Sequence, residues 1–210
     1  MAHRSRPPVA HDLARAPIER LGLAGQRALT VTNATGRVLE VGAGTGLGLA
    51  YYRPGVHVVA CEADPARRQR LALRAPRAPV PVAVVAAALP TLPFADRSFD
   101  TVVCALVLCS VGDESAAMAE LRRVLAPGGS LLFLDHGLAR SHAIAAAQRA
   151  LAPAWARVAS GCRLDRDPIG ALRAGGFVVS ECERLAPLGR PTSGVLVRGR
   201  AITSHCGTRT

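Results

Sequence analysis

Two hydrophobic rhythms alternate along this chain. Short, almost continuous apolar runs at 37–41, 56–61, 80–87, 99–110 and 130–135 read as strands. The run FDTVVCALVLCS (99–110) is apolar nearly throughout, as expected of a strand covered on both faces of a parallel sheet. Between these runs lie amphipathic stretches. One helix is predicted over 18–29, and another opens at 47–52. A third starts at Asp64-Pro65, with aspartate as N-cap and proline in the first turn, and runs through Leu73. Asp113 caps a fourth, whose Met118, Leu121, Val124 and Leu125 share one face. The segment APGG ends it. Two more helices follow, over 140–158 and from Asp167-Pro168 to Gly175-Gly176. FVVSECERL and GVLVRGRAI then close the chain as strands near enough to pair antiparallel. The pattern predicts an α/β fold: a doubly wound, Rossmann-like seven-stranded sheet, mostly parallel with a C-terminal antiparallel strand pair. Its ligand crevice would lie beyond the carboxyl ends of the strands. No internal repeat or second domain is visible. Residues 17–210 read as one domain behind a flexible Arg/Pro-rich arm, 1–16.

Composition narrows the function. The 210 residues carry a net charge of +11, and all 26 basic residues are arginine. They are scattered in ones and twos, and aromatics are only 3% of the chain, whereas a nucleic-acid groove interleaves basic residues with stacking rings. A basic surface is therefore expected, and nucleic acid is not the expected partner. No apolar run reaches the ~18 residues of a membrane span, and the N-terminal segment lacks the apolar core of a signal peptide. A cytoplasmic protein, monomeric or homodimeric, with a small-molecule substrate is expected. The six cysteines (61, 104, 109, 162, 182, 206) show no Cys-x-x-Cys and no Cys/His pair at zinc spacing, so packing is their expected role and no metal is expected.

The chemistry begins at RVLEVGAGTGLG (37–48), a strand entering a glycine-rich turn. A dinucleotide fingerprint needs Gly-x-Gly-x-x-Gly, but Leu47 stands where the third glycine belongs; the spacing is Gly42-x-Gly44-x-Gly46. Glu40, at the strand's end, would repel a pyrophosphate and attract a cation. Glu62 ends the second strand, twenty residues beyond Gly42, where a carboxylate can accept both ribose hydroxyls. Together these features favour S-adenosyl-L-methionine over a dinucleotide.

VLEVGAGTG, ALPTLPFADRSFD and ELRRVLAPGGSLLFLD in this order resemble the class I S-adenosylmethionine-dependent methyltransferases, over about residues 37–185. VVCALVLCSV together with LAPAWARVASGCRLDRDPIGALRAGGF is further similar to the alkyl thiol S-methyltransferases of animal endoplasmic reticulum and their bacterial relatives. That family has an N-terminal hydrophobic anchor absent here, so the resemblance implies a soluble counterpart. It also implies that Glu40, Gly42, Ala43, Gly44 and Gly46 border the methionine part of the cofactor. Glu62 would bind the ribose, and Ala63 would flank the adenine. Many relatives have aspartate at the position of Ala88, so Ala88 and Leu89 would offer only backbone or apolar contacts.

Methyl transfer is an in-line displacement, for which the protein must align the acceptor and, for a weak nucleophile, take its proton. His136, after strand five, is the candidate base, with a structural loop histidine as the alternative. Leu108 and Cys109 should lie beside the methyl group, and Trp155, Cys162 and Arg166 over the acceptor. These apolar walls suggest a small lipophilic acceptor, and the family resemblance suggests a thiol. N-, O- or C-methylation of a quinone, phenol or phospholipid headgroup stays open, as do an RNA methyltransferase and an inactive S-adenosylmethionine-binding regulator.

Overall fold

The computed structural model describes residues 22–159, 161–185 and 195–203; the arm expected over 1–16 and Cys206 lie outside them. Seven strands form one sheet in the order β3-β2-β1-β4-β5-β7-β6. They are β1 (Arg37–Val41), β2 (His57–Cys61), β3 (Val82–Val85), β4 (Phe99–Ala105), β5 (Leu125–Gly137), β6 (Phe177–Leu185) and β7 (Val195–Thr203). Neighbours from β3 to β5 pair parallel, and β7 runs antiparallel to both β5 and β6. The seven-stranded, mostly parallel sheet with an antiparallel C-terminal pair is thus as the pattern predicts. Strand order reverses between β1 and β4, which opens a crevice at their carboxyl ends.

Helices α1 (Ala24–Val31), α2 (Pro65–Arg74), α3 (Glu114–Val124), α4 (His142–Val158) and α5 (Pro168–Ala174) flank the sheet. Side-chain alternation divides the core. Leu39, Val102, Cys104, Leu131 and Phe133 meet α3 and α5 through Met118, Leu121 and Leu172. Val38, Val103 and Leu132 face the opposite way, toward Val31 and Leu71 of α1 and α2. Asp64 and Asp113 cap α2 and α3 by accepting from the amides of Arg67 and Ala116, both at 2.9 Å.

Four elements differ from the sequence pattern, one being β5, which takes in Leu125 and the APGG segment expected to end the fourth helix. The helix expected over 47–52 is a single 3-10 turn, Leu49–Tyr51, because Arg53 precedes Pro54 and Tyr52 is already extended (φ −66°, ψ 140°). The apolar run 99–110 is not one strand. It leaves the sheet after Ala105, Leu106 takes φ 62°, and Leu108–Ser110 forms a 3-10 turn. The first described helix, Ala24–Val31, runs two residues past the expected end at 29, and residues 18–21 of the expected helix lie outside the described residues.

The β6–β7 pair depends on a glycine. A bulge between Val179 and Glu181 turns the Glu181 carbonyl onto Gly199, whose other side faces Phe133. A Cβ at 199 would collide with that carbonyl and lie 2.7 Å from Phe133 Cζ. Gly199→Ala is expected to lower unfolding free energy by about 2 kcal/mol in urea titrations, as overpacking against backbone does. An unchanged midpoint would mean that the bulge relaxes freely.

Candidate functional site

At the crevice lies a cavity of about 230 Å³, bounded by Val41, Gly42, Glu62, Ala63, Ala88, Leu89 and the turn from Leu106 to Gly112. A larger hollow of about 440 Å³ between α2 and β3 is shallow, and among its lining residues (such as Ala72, Pro76 and Val82) none is ionisable, so it offers no chemistry.

Glu62 anchors one wall. Its Oε2 accepts from the Gly44 amide at 2.9 Å, its Oε1 accepts from the Asp64 amide at 2.8 Å, and Arg67 stands 3.3 Å away. The carboxylate therefore ties the glycine turn to the end of β2. Gly42 and Gly44 both take φ 62°, the left-handed region that glycine tolerates. A Cβ on Gly42 would meet Val107 at 2.7 Å, whereas one on Gly44 would touch only the Gly42 carbonyl oxygen, at 4.0 Å. The backbone is bare where a ligand can approach it.

Glu40 is placed beneath the turn and does not line the cavity. It is buried, accepts from the Tyr52 hydroxyl at 3.1 Å, and sits under Gly48, where a Cβ would lie 2.7 Å from its Oε1. Burial pushes its carboxyl up to about 7, against the opposing pull of Arg27 and the Tyr52 hydrogen bond. A carboxylate at this depth gains from a further positive charge nearby. A carboxylate on the wall, bare glycine backbone and a buried acid favouring a cation suit a cationic ligand without phosphate.

The other end of the cavity is built on Asp135, a residue whose structural part the sequence pattern does not reveal. It is fully buried at the carboxyl end of β5. Its Oδ2 accepts from the amides of Val107 (2.9 Å) and Leu108 (2.7 Å), and its Oδ1 from Cys109 (3.2 Å) and His136 (2.8 Å). Burial pushes the Asp135 carboxyl upward, and its hydrogen bonds oppose that shift. The carboxylate replaces the ladder bonds lost where the 99–110 run leaves the sheet.

This turn brings together residues far apart in sequence. Leu108 and Cys109 are buried, while Ser110 and Val111 face the cavity. The Cys109 thiol donates to Cys162 Sγ at 3.3 Å, and Cys162 Sγ lies 3.2 Å from His136 Nδ1. Hydrogen bonding from Cys109, then from His136 and Trp155, holds the Cys162 thiol well below its ordinary range, and the same pair holds Cys109 protonated. Trp155 is 39% exposed on α4, beside this cluster and outside the core. Gln148 secures α4: its amide donates to the carbonyls of Gly137 and Leu164 (both 3.1 Å) and its oxygen accepts from the Ala139 amide at 2.8 Å. Arg166 does not line the cavity. It pairs with Glu114 at 2.6 Å and donates to the Val111 carbonyl at 3.0 Å, bracing the turn.

Glu40 makes stability depend on pH. The native state keeps its proton up to about pH 7, whereas an unfolded glutamate releases it near 4.5. Its contribution therefore becomes increasingly unfavourable as pH rises across that window. The loss by linkage is on the order of 3 kcal/mol. Glu40→Gln removes this titration. Its unfolding free energy relative to wild type, measured in urea without ligand at about pH 5 and about pH 8, should shift by roughly 3 kcal/mol in the variant's favour at the higher pH. The same difference at both values would show that Glu40 titrates as an ordinary carboxyl.

Residues 39–133 match the family model described as a methyltransferase domain. Human thiol S-methyltransferase TMT1B is 35% identical over 169 residues, covering 75% of this chain and 67% of the relative. Human thiol S-methyltransferase TMT1A is 35% identical over 163 residues, covering 72% and 64%. The chain thus spans about two thirds of the length of these relatives. Among solved structures, a SAM-dependent methyltransferase from Aquifex aeolicus superposes with a TM-score of 0.67 at 15% identity, covering 95% of this chain and all of that one. One from Mesorhizobium loti gives 0.64 at 17%, covering 88% and 97%. These two share the fold. The chain belongs to the class I S-adenosylmethionine-dependent methyltransferases, the family of its thiol S-methyltransferase relatives.

Proposed function

We propose that this methyltransferase transfers the methyl group of S-adenosylmethionine to the sulfur of a small lipophilic thiol. The observation that carries the reading is the 35% identity to thiol S-methyltransferases over a span much longer than residues 39–133. The apolar stretch around Leu106 and Val111 supports a lipophilic acceptor.

The cofactor brings a methyl group already activated by its sulfonium. Glu62 accepts the ribose hydroxyls, and Ala63, Ala88 and Leu89 flank the adenine. The turn Gly42, Ala43, Gly44, Gly46 lies along the methionine part, with Glu40 supplying negative charge from below. At the acceptor end, Leu108 and Cys109 form the floor behind Ser110, and Trp155 and Cys162 bound the space beside it. His136 governs the acceptor's ionisation. A thiol needs little help, since at a pKa near ~8.5 a useful thiolate fraction exists at neutral pH. Positioning and exclusion of water are then the protein's main tasks. Arg166 serves this site indirectly, by bracing the turn at Val111.

The proposal extends to a single domain over 17–210, working in the cytoplasm as a monomer or homodimer. Among the described residues, no helix is long and apolar enough to cross a membrane.

Release of S-adenosylhomocysteine, measured with an aliphatic thiol and with its alcohol analogue, tests the reading. Turnover is expected with the thiol and at least ~100-fold less with the alcohol, whose hydroxyl is scarcely ionised at neutral pH. Equal rates, or turnover of neither by protein that binds the cofactor, would reject a thiol acceptor.

A further inference from the structure

The acceptor end holds a second chemical feature. Cys109 Sγ, Cys162 Sγ and a ring nitrogen of His136 lie within 4.8 Å of one another. A tetrahedral zinc ion with bonds of ~2.3 Å to sulfur and ~2.0 Å to nitrogen separates its ligand atoms by about 3.5 to 3.8 Å. The measured contacts are 3.3 Å between the sulfurs and 3.2 Å between Cys162 Sγ and His136 Nδ1. Admitting the ion requires outward movement of about 0.3 to 0.5 Å at these two edges, and the third edge, from Cys109 to His136, is no longer than 4.8 Å.

The backbone behind all three side chains is fixed. Asp135 Oδ1 accepts from the amides of both Cys109 (3.2 Å) and His136 (2.8 Å), so one oxygen sets two of the three positions. The third is set by the Arg163 amide, which donates to the Cys109 carbonyl at 2.9 Å, and by the Cys162 amide, which donates to the Ala159 carbonyl at 3.1 Å. Preorganised donors of this kind are what a metal site needs, because ordering them then costs little on binding. On metal binding Cys109 releases its proton to solvent, and two thiolates with a neutral imidazole then neutralise a divalent cation, which suits a buried location.

We propose that Cys109, His136 and Cys162 form a binding site for a thiophilic divalent cation, zinc being the best match. Among the described residues the cluster holds three ligands, and three protein ligands with one open position is the arrangement of a catalytic zinc. Resting on the thiol reading, the open position takes the acceptor. Its S–H proton passes to solvent and its sulfur binds the ion as a thiolate. A sulfur lone pair then forms the new S–CH3 bond while the methyl–sulfonium bond breaks. That bonding pair stays on the departing S-adenosylhomocysteine, and the neutral thioether leaves the metal. His136 accordingly governs ionisation as a ligand.

The full chain, reduced and stripped with chelator under anaerobic conditions, is titrated with Co2+ as a spectroscopic probe. One equivalent should bind, with a thiolate-to-cobalt charge-transfer band and the intense d–d absorption of tetrahedral cobalt, and Zn2+ should displace it. Cys109→Ser and Cys162→Ser should each raise the Co2+ dissociation constant at least ~100-fold, while Cys182→Ser, altering an exposed cysteine outside the cluster, leaves it unchanged. If either serine variant fails to fold, His136→Asn supplies the test, because it should shift the d–d bands while keeping charge transfer. No stoichiometric uptake with this signature, or an unaltered spectrum in the Cys162 or His136 variant, overturns the site. The titration contains no acceptor, so it stands apart from the thiol assay. Thiol turnover by protein that binds no cobalt would refute the metal site alone.

Discussion

Four backbone amides converge on the carboxylate of Asp135, and the turn from Val107 to Cys109 depends on that convergence. The chain from 99 to 110 is apolar enough to continue as a strand, yet it turns away after Ala105 with Leu106 in a left-handed conformation. Leaving a sheet strips a buried segment of ladder partners, and each unmet amide costs about 1–3 kcal/mol. Asp135 meets those of Val107, Leu108 and Cys109 from the adjacent strand, and the amide of His136 as well. Charge-assisted bonds offset the cost of burying the carboxylate, so turn and acid stabilise one another.

The three acidic residues at the strand ends divide the work by depth. Glu62 reaches the cavity wall while holding the glycine turn to β2. Glu40 stays underneath, where burial raises its proton affinity and makes it responsive to an added cation. Asp135 does not line the cavity, but shapes the turn that joins it to the Cys109–His136–Cys162 cluster. A doubly wound sheet makes this possible because β1, β2 and β5 end at the same edge.

What could be read from sequence was local. Strand alternation, the caps Asp64 and Asp113, the shifted glycines and the spacing of Glu62 each involve residues close together in the chain. What could not be read depends on distant partners. The break at Leu106 is decided by an acid 28 residues away from Val107, and no propensity rule gives leucine a positive φ. The sulfur pair joins residues 53 apart, so no metal-ligand spacing exists to be noticed. Arg166 offers the converse lesson: an arginine near an acceptor segment suggests substrate binding, but its partners are Glu114 and a backbone carbonyl.

Amide hydrogen exchange, resolved by residue, tests the part given to Asp135 most directly. The amides of Val107, Leu108 and Cys109 lie in a connecting turn, yet they should exchange as slowly as those of the core strands. In Asp135→Asn, which retains only one acceptor oxygen, exchange at these positions and at His136 should accelerate at least ~10-fold more than elsewhere. Turn amides that exchange rapidly in the wild type, or acceleration spread evenly over the sheet, would contradict the view that this carboxylate holds the turn and the proposed acceptor site together.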